Sequence, residues 1–465
     1  MLRIYDGHQP LNRRQLMTIG GLGLGGLTLS SLVKAAGISP AHVSGKSVIF
    51  LFQQGGPSQL ETFDPKPDAP EGNRTVTGTT QTSIPGVVFG DTLTQLSQLA
   101  DKFSVVRSFQ TNNGGHNIQP IVGPDSLNTN IGVHYSRVVG STRARTGMPT
   151  NMVIYPATVS DDVPGPQARG NLASTGSYGS PYAPFIPGKD GQLQKDMQLS
   201  LPRDRFFGDR KQLLAKLDRI KRQIDADGQV AAIDELRQQA YDVLLGGGVA
   251  RALDLSEEDP RTLELYDTQR YAGSADKWNR VSRGRSGYYT ANASSLGKLL
   301  LLSRRLCEAG CGFVTIHAGY AGVWDMHADS NNLNMVDGMA AIGPSFDHAV
   351  AAFIRDLEER GLRDKILLIT CGEMGRTPRV NKNGGRDHWA RLSPLLLYGA
   401  GSTPGLVLGQ SDRQGGQPIT NNFTPKHLIA TIMNTVFDVG ELRLVRGVPD
   451  ELMKLASEKP IPGSV

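Results

Sequence analysis

The sequence predicts an α/β protein with a mainly parallel sheet covered by helices on both faces. Three observations carry this. Six short, nearly continuous apolar runs read as buried strands. Helical patterns with one apolar face lie between them. No repeat period of about 20 to 50 residues competes with that reading. Strands apolar on both faces and separated by helices suit a parallel sheet buried from both sides.

The runs occur in order. Ser47–Phe52 (SVIFLF) is the first. Residues 103–109 (FSVVRSF), 151–156 (NMVIYP), 312–318 (GFVTIHA), 365–370 (KILLIT) and 393–399 (SPLLLYG) follow. The clearest helix covers residues 343–361, with Phe346, Val350, Phe353, Ile354 and Leu357 along one face. The middle of the chain, about residues 157–295, differs. Charged amphipathic helices at 202–225 and 231–246 alternate with Pro/Gly-rich stretches. It reads as a helical insertion on the sheet domain, forming either a wall of the site or plain scaffold.

A chain of 465 residues with 38% hydrophobic content can bury a sizeable core, and 55 glycines with 27 prolines indicate many loops. The formal charge is +5. Arg3, Arg13, Arg14 and Lys34 against Asp6 give the first 36 residues +3, leaving +2 for the rest. That is too small a bias for a nucleic-acid binder. Three cysteines, Cys307, Cys311 and Cys371, exclude a disulfide framework and have no zinc-ribbon spacing.

Residues 1–37 have the three-part layout of an export signal. Arg13 and Arg14 precede a glycine-rich, weakly apolar run, and Ala35, Ala36 and Gly37 close it. The arginine pair resembles a twin-arginine signal, which implies a periplasmic or extracellular destination and the twin-arginine export machinery as a partner. A membrane anchor is the alternative, with a run at the short limit for a span.

Open parallel sheets bind ligands beyond the carboxyl ends of their strands. After the first strand come Gly55, Gly56, Ser58, Glu61, Asp64 and Lys66; after the second comes His116. Residues 312–332 supply Asp325, His327 and Asp329, and residues 365–389 supply Glu373, Arg376, Arg386, Asp387 and His388. His388 precedes a strand rather than following one. If residues 393–399 run antiparallel to 365–370, it returns to the edge that carries Glu373. Imidazole with carboxylate suits zinc, manganese or iron, whereas a calcium cage uses oxygen alone. The Gly55-Gly56 turn offers backbone N–H groups to an anion, with Lys66, Arg376 and Arg386 as cationic partners. Each feature has a plainer version. A Gly-Gly-Pro-Ser run is often only a turn, and Asp387 can orient His388 rather than bind metal. The cysteines read as inert buried thiols, and His317 is a spare candidate beside its strand.

The segments GGPSQLETFDPKP, WDMHAD and GEMGRTPRVNKNGGRDHW resemble the bacterial domain-of-unknown-function 1501 family. So do ALDLSEED, RRLCEAGCGFVTIH and the leader. The resemblance implies the three-layer sandwich of alkaline phosphatases and sulfatases and a site of metal ions held by Asp and His. Asp325, His327 and His388 would resemble ligands of one metal and Glu373 a ligand of a second, with Asp387 and Asp64 as further candidates. Here Met374 stands where the superfamily has His, and Gln53 and Gln54 stand where its first strand ends in a metal-binding Asp. No Ser, Thr or Cys occupies the usual nucleophile position, where this chain has His116. Ser58, His116 and Arg376 are the catalytic candidates. The expectation is an exported hydrolase of phosphate or sulfate esters, using zinc or manganese in a number left open. Its substrate would be a small anionic ester or a sulfated or phosphorylated glycan. The alternative is a non-catalytic exported binding protein with a remodelled pocket.

Overall fold

The computed structural model describes residues 41–143, 146–187, 248–272 and 283–465, together with a short strand pair, Tyr5–Asp6 with Gln9–Pro10. Apart from that pair, the leader lies outside the described residues, as do the two helices expected at 202–225 and 231–246.

Seven strands form one sheet. In chain order they are β1 (Ser47–Phe52), β2 (Ser104–Val106), β3 (Asn151–Ile154), β4 (Phe313–His317), β5 (Ile366–Cys371), β8 (Leu395–Gly399) and β9 (Val407–Leu408). Two further strands, β6 (Gly375–Val380) and β7 (Arg386–Trp389), form a separate antiparallel ribbon. The order across the sheet is β9-β2-β8-β5-β1-β4-β3. Only β8 runs against the others. All six runs read from the sequence are strands of this sheet. The second contracts to three residues, and two-residue β9 has too few apolar positions to be read as a strand.

Alternation along each strand divides the core in two. Ile49, Leu51, Val314, Ile316 and Leu368 face one layer, built from α2 (Arg283–Glu308) and α3 (Met335–Glu359). Val48, Phe50, Phe52, Leu367 and Ile369 face the other, where α1 (Ile131–Val139) and α4 (Pro425–Val436) lie. This is the expected sandwich of helices, sheet and helices. Each fully buried Leu, Ile or Phe contributes about 1.5–3 kcal/mol relative to exposure, so continuous apolar strands commit the chain to this layering. Helix α3 begins earlier than its apolar pattern suggested. Asn334 caps it, and Pro344 sits inside the helix rather than near its start. Helix α2 crosses the expected end of the insertion near residue 295 and packs on the sheet beside α3.

The three cysteines are free and buried. Burial pushes the Cys311 thiol up to about 12 and raises Cys371 well above the usual thiol range. Among the described residues, no helix is long and apolar enough to cross a membrane.

Candidate metal centre

The antiparallel course of β8 has a local consequence. Because β5 and β8 run in opposite directions, the chain between them leaves and returns at one sheet edge. That connection is the β6–β7 ribbon, where a loop was expected. Its polar side chains hid the strand pattern. Arg376 and His388 are partners across the ribbon, so both side chains emerge on one face and meet at Asp325.

Asp325 lies in the loop after β4 and is buried. Its Oδ2 is 2.8 Å from His116 Nε2. Its Oδ1 is 2.7 Å from His327 Nδ1, 3.2 Å from His388 Nε2 and 2.7 Å from Arg376 Nη2. Ligand atoms of His116, Asp325 and His388 lie within 4.8 Å of one another. The His116 and His388 rings meet edge to face, 4.4 Å between centroids.

Each imidazole also has an outer partner. His116 Nδ1 is 3.2 Å from Glu373 Oε1, His327 Nε2 is 2.9 Å from Asp329 Oδ2, and His388 Nδ1 is 3.0 Å from the Gly114 carbonyl. A carbonyl only accepts, so His388 must carry its proton on Nδ1. With that as its one N–H, the ring would turn the Nε2 lone pair toward a carboxylate oxygen, so a second proton or a cation belongs there. The same accounting holds for all three rings. A neutral imidazole has one N–H, yet each ring lies between two oxygen acceptors. Extra protons or a cation must fill the deficit beside Asp325. Inner nitrogens aimed at one carboxylate, with outer N–H groups held by acceptors, is the layout of ligating histidines. The set fits a divalent transition metal such as zinc or manganese.

The electrostatics follow. Burial favours neutral Asp325, but the three imidazoles and Arg376 outweigh it and hold the carboxyl far below the usual range. Burial lowers His116, while Asp325 and Glu373 on either side raise it to about 9. His327 is raised chiefly by its hydrogen bond to Asp325. Burial pushes Glu373 up, partly offset by His116 and the Gly55 N–H.

The remaining sequence-derived site residues divide. Glu373 stands behind His116, and both its oxygens accept from Gly55 N–H, at 2.9 and 3.1 Å. The Gly55 N–H therefore serves an internal carboxylate, not the external anion expected of the turn. Gly55 has φ +114°, and a Cβ there would come within 2.7 Å of Asp325 N, so the close approach requires glycine. The Gly56 N–H goes to the Gln53 carbonyl, at 3.3 Å.

Arg376 is fully buried and grips the turn from the other side. It donates to the carbonyls of Gly55, Gly56, Trp324 and Arg386 and to Asp325. Arg386 donates to Glu61 and to the carbonyls of Arg74, Thr377 and Pro378. Both guanidiniums are occupied internally, which corrects the expectation that they hold an external anion. Ser58 donates to Glu61. Asp64 and Lys66 pair with each other at 2.9 Å, near Arg107 and Ser411, in a separate ionic cluster. Asp387 is exposed and accepts from Asn381, because strand alternation turns it away from the His388 face. His317 Nε2 donates to Gln54 Oε1 at 2.8 Å, and burial lowers its pKa to about 3.

Sequence reasoning did not assign the Gly114 carbonyl or Asn332, whose Nδ2 is 3.4 Å from Asp325 Oδ2. A backbone carbonyl leaves no sequence signal. Asn332 follows Asp329 in a polar run, which is a weak one.

Residues 45–461 match the model of the family described as protein of unknown function (DUF1501), and the chain belongs to that family. No curated protein matches it. Among solved structures, the crystal structure of Ps i-CgsB is similar at 10% identity and TM-score 0.31, covering 89% of this chain and 77% of that one. The PsFucS1 sulfatase from Pseudoalteromonas sp. gives 12% and 0.28, covering 87% and 71%. The lipoteichoic acid synthase LtaP from Listeria monocytogenes gives 10% and 0.26, covering 88% and 78%. Sheet order and strand direction, rather than these likenesses, define the α/β class.

Proposed function

We propose that this chain is an exported, metal-dependent hydrolase of phosphate or sulfate esters. The observation that carries the reading is the convergence of three outer-anchored imidazoles on the one Asp325 carboxylate, with ligand atoms of His116, Asp325 and His388 within 4.8 Å of one another. His116, Asp325 and His388, with His327 alongside, are the residues that would hold a zinc or manganese ion. Bound there, the ion would polarise an ester oxygen or lower the pKa of a water. The protein's own groups supply orientation. Glu373, Asp329 and the Gly114 carbonyl hold the outer N–H groups, and Arg376 fixes the Asp325 carboxylate. Among the described residues, no hydroxyl or thiol hydrogen-bonds to Asp325, Glu373 or the three imidazoles. In this reading the attacking oxygen is therefore water's.

That same lack of a side-chain nucleophile favours a second reading, a non-catalytic exported protein that binds a sulfated or phosphorylated glycan. Elemental analysis of freshly purified protein, followed by a panel of aryl phosphates and sulfates, separates the two. The hydrolase reading expects about one zinc or manganese per chain and cleavage that His388→Ala abolishes. Full activity in that variant would sink the assignment. Metal-loaded protein inert on every ester but retaining an anionic glycan would support the second reading. Replacing Arg13 and Arg14 with lysine is expected to leave the precursor in the cytoplasm, as cell fractionation would show.

A further inference from the structure

With Arg376 and Arg386 occupied, the proposed anionic substrate lacks an assigned partner. The described residues near the centre contain two guanidiniums whose charge is not neutralised. Arg285 lies in the first turns of α2, on the face it shares with Tyr288 and Tyr289. That face packs on the loop that carries Asp325 and on the segment that leads to Arg169. Tyr289 donates its hydroxyl to the Gly322 carbonyl at 3.2 Å, and Tyr288 donates to the Gly165 carbonyl at 3.2 Å. The Arg285 guanidinium sits 4.5 Å from the centroid of the Tyr320 ring, five residues before Asp325.

Arg169 comes from a separate segment of the chain. The segment carrying it runs beside the loop after β4, through Gln167 N–H to the Gly319 carbonyl at 2.7 Å and Ala321 N–H to the Gln167 carbonyl at 3.1 Å. Its main chain is bound at both ends by the buried Gln54 carboxamide. Arg169 N–H donates to Oε1 at 3.1 Å, and Nε2 donates to the Arg169 carbonyl at 2.9 Å. The same Nε2 reaches the Asn117 carbonyl, next to His116, at 3.2 Å. Gln54 thus ties the Arg169 backbone to the loop that carries His116. The ring contact sets Arg285 beside the loop that leads to Asp325, and the Gln167 and Gln54 hydrogen bonds set the Arg169 main chain beside that loop and the one carrying His116.

Arg169 is exposed and Arg285 half-buried. Among the described residues, neither guanidinium has a carboxylate or carbonyl partner. A guanidinium laid on an aromatic ring keeps its edge N–H groups available for an oxyanion. We propose that Arg169 and Arg285 form the clamp for the tetrahedral anionic group of the substrate, holding the oxygens that do not face the His/Asp centre. This rests on the hydrolase reading above and specifies which residues recognise its substrate.

The test uses zinc-loaded full-length protein, its Arg169→Ala, Arg285→Ala and doubly substituted variants, and inorganic phosphate as the probe in titration calorimetry. A parallel titration with sulfate tells which ester class the clamp prefers. Each single variant is expected to lose about tenfold in anion affinity and the double about a hundredfold, with zinc content unchanged. Arg169→Lys and Arg285→Lys should recover part of the loss, which a folding defect would not allow, and melting curves check the fold directly. Full anion affinity in the zinc-loaded double variant overturns the clamp while leaving the hydrolase reading intact. Zinc-loaded wild type that binds neither phosphate nor sulfate also overturns the clamp. A wild type that holds no metal overturns both, and the elemental count distinguishes that outcome from the others.

Discussion

Two buried carboxylates beyond the sheet edge, Glu61 and Asp325, look alike in sequence and differ in the structure. Glu61 faces Arg386, with both side chains fully buried. Every contact there joins a donor to an acceptor: Arg386 to the carboxylate and three carbonyls, Ser58 to the carboxylate, and the Val76 N–H to Glu61 Oε1 at 3.1 Å. Asp325 faces three imidazoles whose nitrogens lie between more acceptors than neutral rings can satisfy. The first cluster is complete, and the second takes up added protons or a cation. Accounting for donors and acceptors, rather than counting charges, separates a structural polar cluster from a functional one.

The largest effect that would sharpen this contrast lies on the structural side. Arg386→Met strands Glu61 as a buried, uncompensated charge and should cost about 3–5 kcal/mol in urea unfolding. Metal content per folded chain should remain. Loss of metal with little change in stability would reverse the roles assigned to the two clusters.

Next is removal of the ion. A ligand that binds only the folded state stabilises it by about 2.7 kcal/mol at a hundred times its Kd. Chelation should therefore lower the melting temperature of wild type, and His388→Ala should abolish that response. Glu373→Gln comes third. It keeps the shape behind His116 and removes the charge, and loss of such an outer partner costs about 10–100-fold in metal affinity, readable by competition with a chromogenic chelator.

The smallest effect is on pH. In the metal-free protein His116 holds its proton up to about 9, and a ligating nitrogen must release its proton to bind. Metal-free protein thus binds more protons than the loaded form, so zinc affinity should rise with pH and fall on acidification. Titrations at pH 6 and pH 8 measure the slope, and a flat profile would mean that no imidazole ligates.

The sheet was legible because β1, β4, β5 and β8 are buried on both faces and must be apolar throughout. The reversal of β8 was legible only through His388, which had to return to the Glu373 edge. The β6–β7 ribbon was not, since its residues contact a polar site and lose the period-two signal. Among the site residues, Asp325, His327 and His116 were singled out by their position after strands, and His388 by the returning strand that it precedes. Arg386 could not be placed, because nothing local in sequence shows that Glu61 meets its guanidinium. Arg169 was equally hidden, in a Pro/Gly-rich stretch whose path depends on the Gln54 carboxamide.

The groups around Asp325 come from connections after β2, β4 and β5, so no contiguous fragment of the chain can assemble them. During synthesis the centre can close only after the ribbon ending at Trp389 has emerged and the strands on either side of it have docked. Ion capture would therefore report a finished fold, and a chain stalled before that ribbon would carry loops rich in histidine and aspartate with no grip on a cation.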